Sequence, residues 1–372
     1  MEPVTISVSM LYGPDNWQVL PFQEFTDEVT EATNGKVQFE YYFSGALVPA
    51  SETASGLKNG LVDMAMLIPS YTPADFAYDS WVSKLGFASD ASPVAGTLQA
   101  TTAMLDWSIN NEDYVSEFES QGIKTLLPRL QSTHAYGLLC KDDVSTLQEA
   151  EGQRIRVGGE AWAAEAENIG GVPVSMPAAD VYSAFQQGVL DCFLGGAEDT
   201  HALGLGDIGK HFLSGGFTGW SSYSVVMSES AWASLPLVAQ QAVWDALPSY
   251  LEAFFESNFK INGDFITSAD DKTISFTVPD SKMQEAIDTY HDGLAKSLSD
   301  SAPSVVADPA AEVDEVLANH KKWLDIITGE LGYSGNEADW AEFVEANGSS
   351  EVDLKAWAQY VRDEVLAAHR PS

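Results

Sequence analysis

The sequence predicts a protein with two α/β lobes, and three observations lead to this fold class. A chain of 372 residues with 45% hydrophobic residues exceeds one typical domain and can bury a core in each of two lobes. The first segments follow the order strand, helix, strand. One helix–turn–strand pattern also occurs twice, as "LKNGLVDMAMLI" at 57–68 and "FQQGVLDCFLGG" at 185–196. A repeated step of this kind indicates two lobes of similar design.

The first three elements have clear boundaries in the sequence. The segment "VTISVSM" (4–10) predicts a strand. The segment "FQEFTDEVTEAT" (22–33) predicts a helix that ends at Asn34-Gly35, and "KVQFEYYF" (36–43) predicts the second strand. This β-α-β order is typical of a parallel sheet.

Each copy of the repeated unit has a proline, a glycine eleven residues later and an aspartate three residues after the glycine. These residues are Pro49, Gly60 and Asp63 in the first copy and Pro177, Gly188 and Asp191 in the second. Proline suits the start of a helix, and glycine suits the left-handed conformation that ends one. The apolar runs that follow predict strands buried on both faces of a parallel sheet. The alternative is a chance match of a common helix–strand junction.

The remaining segments complete the two lobes. Residues 92–120 have helical patterns, and three strand patterns follow in "IKTLLPRL" (123–130), "AYGLLC" (135–140) and "RIRVGG" (154–159). The segment 216–236 predicts a strand that returns to the first lobe, and 237–265 predicts one long helix. We therefore divide the chain into a first segment of lobe I (1–125), a first segment of lobe II (126–212), a return to lobe I (213–250), the long helix with a lobe II strand (251–309) and a C-terminal helical extension (310–372).

The charge of the chain excludes two classes of partner. With 55 acidic and 18 basic side chains the formal net charge is −37, which repels nucleic acid and anionic membrane surfaces. No stretch approaches the roughly 20 apolar residues of a membrane span. The chain starts with "MEPVTISVSM", a charged residue followed directly by a strand pattern. We expect Met1 to be an initiator that replaces a removed export signal, and the protein to be periplasmic or otherwise extracytoplasmic.

The sequence has none of the common catalytic or metal-binding motifs. It lacks a G-x-S-x-G elbow, a Walker loop and H-E-x-x-H, and its six histidines show no metal-ligand spacing, so we expect no enzyme activity, no cofactor and no metal. The adjacent acids Glu198 and Asp199 are typical of a solvated turn in so acidic a chain. For Cys140 and Cys192 we expect a buried free pair, with a disulfide between neighbouring strands as the alternative.

The rare cationic side chains are more informative. Arg154 and Arg156 point to the same face of a strand, so one of them could reach a cleft at the strand end. A guanidinium binds a carboxylate through two parallel hydrogen bonds. For Arg154 we expect pairing with a surface acid. Seven aromatic residues are expected in the core by default, and those of them in loops after strands are the better candidates for the cleft. They are Tyr12, Trp17, Tyr71, Trp162, Phe193, Trp220 and Tyr223.

Two stretches of the chain resemble a known family. The run "LQEAEGQRIRVGG" (147–159), followed by "IGGVPVSMPAADVYSAFQQGVLDC" (169–192), resembles the DctP-type solute-binding proteins of TRAP transporters. The segments "TNGKVQFEYYFSGAL" (33–47) and "LKNGLVDMAM" (57–66) are similar to the first half of that family. The resemblance runs from about residue 4 to about residue 300.

This resemblance implies a fold, a function and a partner. The fold would be the two-lobed periplasmic-binding-protein fold, type II-like, with hinge-linked lobes around a central cleft, a long connecting helix and a C-terminal helical layer. The protein would capture a small organic acid in the cleft and deliver it to TRAP membrane permease subunits. Arg156 would hold the carboxylate, and the loop from Phe193 to Glu198, together with Tyr12 to Trp17, Ser70 and Tyr71, would line the pocket.

Two departures from the family pattern make the pocket less positive. Gly195-Gly196-Ala197-Glu198 stands where many relatives have a neutral polar group, and a second arginine has no counterpart in "QSTHAYGLLC". Glu160 and Glu198 could therefore receive a ligand's ammonium group. The alternatives are the same role for an amine or a zwitterion, a binding protein of an ABC system, and an enzyme on a similar scaffold.

Overall fold

The computed structural model describes residues 2–131, 133–219 and 222–372. Within them the strands are β1 Val4–Ser9, β2 Val37–Tyr42, β3 Met64–Leu67, β4 Ile123–Gln131, β5 Ala135–Cys140, β6 Arg154–Val157, β7 Val172–Ser175, β8 Cys192–Gly195, β9 His211–Thr218, β10 Ser222–Ser228 and β11 Ser275–Thr277. The helices are α1 Val19–Ala32, α2 Thr53–Lys58, α3 Ala77–Val82, α4 Pro93–Asn110, α5 Glu112–Glu119, α6 Leu147–Ala150, α7 Glu160–Asn168, α8 Val181–Gln186, α9 Ala197–Ala202, α10 Glu229–Ser234, α11 Leu237–Asp245, α12 Leu247–Lys272, α13 Ser281–Ser297, α14 Pro309–Asp325, α15 Trp340–Asn347 and α16 Lys355–Val361.

The strands form two sheets, one in each lobe. The first has the order β2-β1-β3-β10-β4 and the second the order β11-β9-β5-β8-β6-β7. β10 returns to the first lobe, as predicted for the segment 216–236, and runs antiparallel between β3 and β4. The start of that segment belongs to β9 of the second sheet, and Glu229–Ser234 form α10 rather than a strand. The predicted two-lobed α/β fold is therefore confirmed. The domain boundaries predicted at 125/126 and 212/213 fall within β4 and β9, which belong to the first and second sheets respectively.

The two copies of the repeated unit have the same structure. Gly60 and Gly188 have φ angles of 68° and 75° and end α2 and α8 in the left-handed region, which favours glycine. The strands that follow, β3 and β8, are buried along their whole length and run parallel to β1 and β6. Each unit is thus a helix–turn–strand step of a partly parallel sheet, one in each lobe.

The aspartate of each unit joins its strand to the neighbouring parallel strand. The Oδ2 atom of Asp63 accepts a hydrogen bond of 2.9 Å from the backbone N–H of Ser7 in β1. The Oδ2 atom of Asp191 accepts one of 2.9 Å from the backbone N–H of Arg154 in β6, and its side chain also pairs with the Arg154 guanidinium at 2.6 Å. The predicted surface pairing of Arg154 is confirmed.

The segment 237–265 is two helices, so the prediction of one long helix is wrong. α11 ends at Asp245, and α12 starts at Leu247 with Pro248 in its first turn. Proline has no N–H to continue a preceding helix but fits the first turn of a new one. No helix of the described ranges is long and apolar enough to cross a membrane.

α12 is the predicted long connection between the lobes. Its 26 residues reach from lobe I, where the Ser257 hydroxyl donates to the carbonyl of Trp17, to lobe II, where the Ser268 hydroxyl lies 3.3 Å from Nδ1 of His201. The chain also crosses between the sheets from β4 to β5 and from β9 to β10. The chain therefore passes between the lobes more than once, and α12 is the longest of these connections.

Cys140 and Cys192 form a disulfide, with 2.04 Å between the sulfurs, so the expectation of a free pair is wrong. The two residues stand directly opposite each other in the antiparallel pair of β5 and β8. Their Cα atoms are 4.1 Å apart. The distance in sequence, 52 residues, does not reveal this register.

The C-terminal residues form the predicted helical layer, which covers lobe I. Three tryptophans anchor the layer, and Trp323, Trp340 and Trp357 are all buried. The indole N–H of Trp357 donates to the hydroxyl of Thr102 at 2.9 Å, and that of Trp323 donates to the carboxylate of Asp106 at 2.8 Å. Since Thr102 and Asp106 lie on α4, the layer extends the lobe I core.

Candidate functional site

A small cavity lies between the lobes at the carboxyl ends of the parallel strands. Open α/β sheets bind ligands at such strand ends, because the loops that follow the strands converge there. β1 and β3 lead to the loops of lobe I, and β6 and β8 lead to those of lobe II. The cavity is lined by Tyr12, Ser70 and Tyr71 from lobe I and by Tyr136, Arg156, Gly158, Trp162, Ala178 and Asp199 from lobe II.

The lobes touch each other at the edge of this cavity. The hydroxyl of Tyr71 accepts a hydrogen bond of 3.1 Å from the backbone N–H of Ala178. Gly159 allows a second close approach, since a Cβ there would lie 3.0 Å from both the Cβ of Ser70 and the ring of Trp162. The cleft is therefore closed over the cavity.

The two repeated units meet at the entrance to the cleft. Pro49 and Ala50 start the unit of lobe I, and Pro177 and Ala178 start that of lobe II, and all four line one surface pocket beside the cavity. Tyr12 and Tyr71 lie between this pocket and the cavity and line both. Equivalent pieces of the two lobes thus face each other across the cleft.

Arg156 supplies the positive charge of the cavity. It lies in β6 with 4% of its surface exposed, and its Nε atom donates a hydrogen bond of 3.0 Å to the carbonyl of Met176. The guanidinium carbon is 5.3 Å from the centre of the Phe193 ring. These two contacts fix the plane of the guanidinium and leave its terminal nitrogens beside Gly158 and the cavity.

Asp199 supplies a negative charge to the same cavity. It lies in the first turn of α9 with 7% of its surface exposed, so the expectation of a solvated turn at Glu198 and Asp199 is wrong. Burial raises the pKa of Asp199 to about 6, while the Arg156 guanidinium acts in the opposite direction. The carboxyl therefore changes charge in a mildly acidic range.

Aromatic side chains form the walls. The indole N–H of Trp162 donates to the carbonyl of Thr218 at 2.8 Å, and the Tyr136 ring lies 5.6 Å from the Trp162 ring. The buried carboxylate of Glu165 accepts hydrogen bonds from both the backbone N–H and the hydroxyl of Thr218. This support holds Trp162 in place as a rigid wall.

The two tyrosines of lobe I are neutral at ordinary pH. Burial, followed by the charge of Asp199, raises the pKa of Tyr12 well above its usual value. Burial also raises the pKa of Tyr71, although Arg156 lowers it. Both hydroxyls therefore keep their protons and can donate a hydrogen bond.

The structure brings together only some of the side chains predicted for the site. Tyr12, Ser70, Tyr71 and Arg156 line the cavity, and Phe193 lies against the Arg156 guanidinium. Their roles in binding stay predictions. Trp220 lies outside the described residues.

Three other predicted residues do not line the cavity. Trp17 belongs to the lobe I core, where its ring is 5.2 Å from that of Phe254. Glu160 is exposed at the start of α7. Glu198 is buried in the first turn of α9, with its carboxylate folded back over Gly196.

Sequence reasoning missed the part that Asp199, Tyr136 and Trp162 take in the cavity. Asp199 follows β8 by only four residues, and this position after a buried strand was the available signal. The acidic composition of the chain concealed it, because acids also occur at many surface turns.

Comparison with known proteins decides the family. The family model for DctP, described as bacterial extracellular solute-binding protein, family 7, matches residues 8–297. The chain belongs to this family. The DctP resemblance predicted from the sequence is thereby confirmed, and the family is one of transport receptors that act outside the cytoplasm.

Solved structures of TRAP solute receptors have the same fold as this DctP protein. A TRAP periplasmic solute-binding protein from Bordetella bronchiseptica with bound (R)-mandelate and (S)-mandelate is 20% identical, with a TM-score of 0.73 over 86% of this chain and 99% of that chain. A Bordetella pertussis receptor that binds pyroglutamic acid is 17% identical, with a TM-score of 0.69 over the same two shares. A marine metagenome protein in complex with 3-hydroxybenzoate is 16% identical, with a TM-score of 0.73 over 87% of this chain and 99% of that chain.

Proposed function

We propose that this DctP protein captures a small carboxylate-bearing solute between its lobes and delivers it to a TRAP-type membrane permease. The observation that carries the proposal is the buried guanidinium of Arg156 at the wall of a closed interlobe cavity. A buried charge is costly without a partner, and Arg156 has its Nε atom occupied by the protein and its terminal nitrogens beside the cavity. A ligand carboxylate would pair with the Arg156 guanidinium by accepting two parallel hydrogen bonds from it.

The contacts across the cleft support a closing mechanism. The bond between Tyr71 and Ala178 and the approach of Gly159 to Ser70 join residues of different lobes. A ligand held by Arg156 of lobe II and by Tyr12 and Tyr71 of lobe I makes its full set of contacts only when the lobes are closed. Binding would therefore shift the population to the closed form, which we propose is the form that the permease recognises outside the cytoplasm.

The ligand class can be tested with the purified protein. A thermal-shift screen of small organic acids, sugar acids, amino acids and amines would be followed by calorimetry on the hits. A ligand at a thousand times its dissociation constant stabilises the protein by about 4 kcal/mol, which is a melting shift of several degrees. A screen in which no carboxylate raises the melting temperature would contradict the proposal.

The role of Arg156 has a matched control on the same strand. We expect Arg156→Ala to weaken carboxylate binding by at least about 100-fold, because removing one partner of a buried ion pair costs about 3 to 5 kcal/mol. Arg154→Ala should leave affinity unchanged, because Arg154 is exposed and pairs with Asp191. Equal affinities for both variants in calorimetry, with folding checked by circular dichroism, would remove Arg156 from the site.

A further inference from the structure

Asp199 is a buried carboxylate that faces the cavity without a hydrogen-bond donor. Among the described residues, its side chain accepts no hydrogen bond, and no ion pair within 4.0 Å joins it to Arg156. With 7% of its surface exposed, it has little water to replace such partners. Burying a carboxylate in this way is unfavourable unless a donor or a cation completes it.

Other aspartates of the chain are completed by the protein itself. Asp63 accepts from the backbone N–H and the hydroxyl of Ser7, and Asp191 accepts from both the backbone and the guanidinium of Arg154. Asp199 differs from them because it lines the space that a ligand would fill. Its missing donor is therefore one that the ligand can bring.

We infer that the solute is a compact zwitterion, whose carboxylate binds Arg156 and whose cationic nitrogen keeps at least one N–H to donate to Asp199. This inference rests on the proposed function and narrows its ligand class. The ligand's carboxylate would neutralise the Arg156 guanidinium and its cationic nitrogen would neutralise the Asp199 carboxylate, so the charges in the closed cavity would balance. A simple monocarboxylate would leave Asp199 without a partner, and a dicarboxylate would bring a second negative charge next to it.

The walls of the cavity suit the same ligand. Tyr12, Tyr71, Tyr136 and Trp162 surround the two charged groups. The faces of aromatic rings attract cations. The rings also exclude water, which strengthens the contacts of the ligand with Arg156 and with Asp199. The cavity is small, which favours a compact ligand.

Calorimetry with matched ligand pairs tests the inference. Each pair consists of an amino or imino acid and the same acid without its nitrogen, such as proline and cyclopentanecarboxylate or 4-aminobutyrate and butyrate. We expect the nitrogen-bearing member of at least one pair to bind at least 10-fold more tightly to the wild-type protein. Asp199→Asn should reduce this preference at least 10-fold, because it removes the nitrogen's partner, and should not weaken binding of the plain acid, because it removes a negative charge beside the bound carboxylate. Glu160→Gln is the control, because Glu160 is an exposed acid of the same lobe and should preserve the preference.

The outcomes separate the inference from the proposed function. Binding of the plain acids at least as tightly as their nitrogen-bearing partners overturns the zwitterion and leaves carboxylate capture standing. A nitrogen preference that Asp199→Asn leaves intact assigns the nitrogen to another group and also overturns the inference. Absence of binding by every carboxylate contradicts the proposed function itself. The comparison of ligands on the wild-type protein does not depend on whether the variant folds.

Discussion

The described part of the chain contains two sites where a buried arginine lies near a buried aspartate, and the two sites differ in which groups pair with these charges. In lobe I, Arg129 of β4 forms an ion pair with Asp79 of α3, and both side chains are fully buried. The same Asp79 oxygen accepts from the hydroxyl of Tyr114 at 2.7 Å, and Arg129 donates to the hydroxyl of Ser83 at 2.9 Å. At this site, called the closed site below, the protein itself supplies the counter-charge of each group.

The site in lobe II uses the same residue types but remains open. Arg156 and Asp199 line one cavity, and within the described ranges no ion pair joins them. The comparison teaches that a buried charge by itself does not mark a binding site. A binding site is indicated when the protein holds a buried charge in place and that charge also faces a cavity. Arg156 meets both conditions, because the carbonyl of Met176 holds its Nε atom and its terminal nitrogens lie beside the cavity.

The largest expected effect concerns the closed site. Asp79→Ala should lower the free energy of unfolding by about 3 to 5 kcal/mol, because it leaves the Arg129 guanidinium buried without its counter-charge. In a chain of this length that is a fall in melting temperature of about 5 °C. Calorimetric or circular-dichroism melting would show it, and an unchanged melting temperature would mean that the Asp79 network does not support the fold.

At the open site, by contrast, replacing the aspartate should raise the free energy of unfolding. The pKa of Asp199 rises from 3.8 to about 6 on folding, so the stability that its protonated form contributes is fully present below pH 4 and is lost as the pH rises through 6. Asparagine does not ionise, so the Asp199→Asn variant does not lose this stability as the pH rises. The variant should therefore be more stable than the wild type at pH 8, by up to about 3 kcal/mol, with the difference vanishing near pH 4.

Urea unfolding at pH 4, 6 and 8 checks this sign. Arg156, Tyr12 and Tyr71 face Asp199 in the cavity and are unchanged in the variant. A destabilised Asp199→Asn protein at pH 8 would mean that the carboxylate is completed within the protein, as Asp79 is, and the contrast between the two sites would disappear.

A smaller effect, on ligand affinity, is expected at the hydrogen bond that joins the two lobes beside the open site. Tyr71→Phe removes the hydroxyl that accepts from Ala178 across the cleft. One hydrogen bond contributes about 1 kcal/mol, so the affinity for the ligand should fall about 5-fold. Tyr114→Phe is the matched variant at the closed site, where the lost bond to Asp79 should lower stability and leave affinity unchanged. Calorimetry and thermal melting on both variants distinguish the two roles.

Several features of the fold were predictable from short stretches of sequence. The spacing of Pro49, Gly60 and Asp63 encodes a local structure, a helix that ends in a left-handed glycine followed by a buried strand, and Gly60 adopts the expected conformation. The "RIRVGG" segment placed Arg156 near a strand end in the same local way. Such features depend on neighbours within one element, so the pattern of residues is sufficient to predict them.

Other features depended on partners far away in the chain. Trp17 follows the first strand, as a cleft residue would, but it packs on Phe254 of α12. Cys140 pairs with Cys192 because β5 and β8 are antiparallel neighbours in that register. Neither contact has a signal in the sequence around the residue.

The sequence by itself determined the two-lobed α/β class, the repeated helix–turn–strand unit, the family and the arginine at the end of β6. The tertiary structure alone decided which acid faces that arginine, because Glu198 and Asp199 are adjacent in α9 and only the rotation of its first turn separates them. Glu198 folds back over Gly196, whereas Asp199 reaches the cavity. The physical reason is that a helix turns by about 100° per residue, so neighbouring side chains point in different directions, and the packing of α9 against the rest of the lobe selects the direction that meets the cleft.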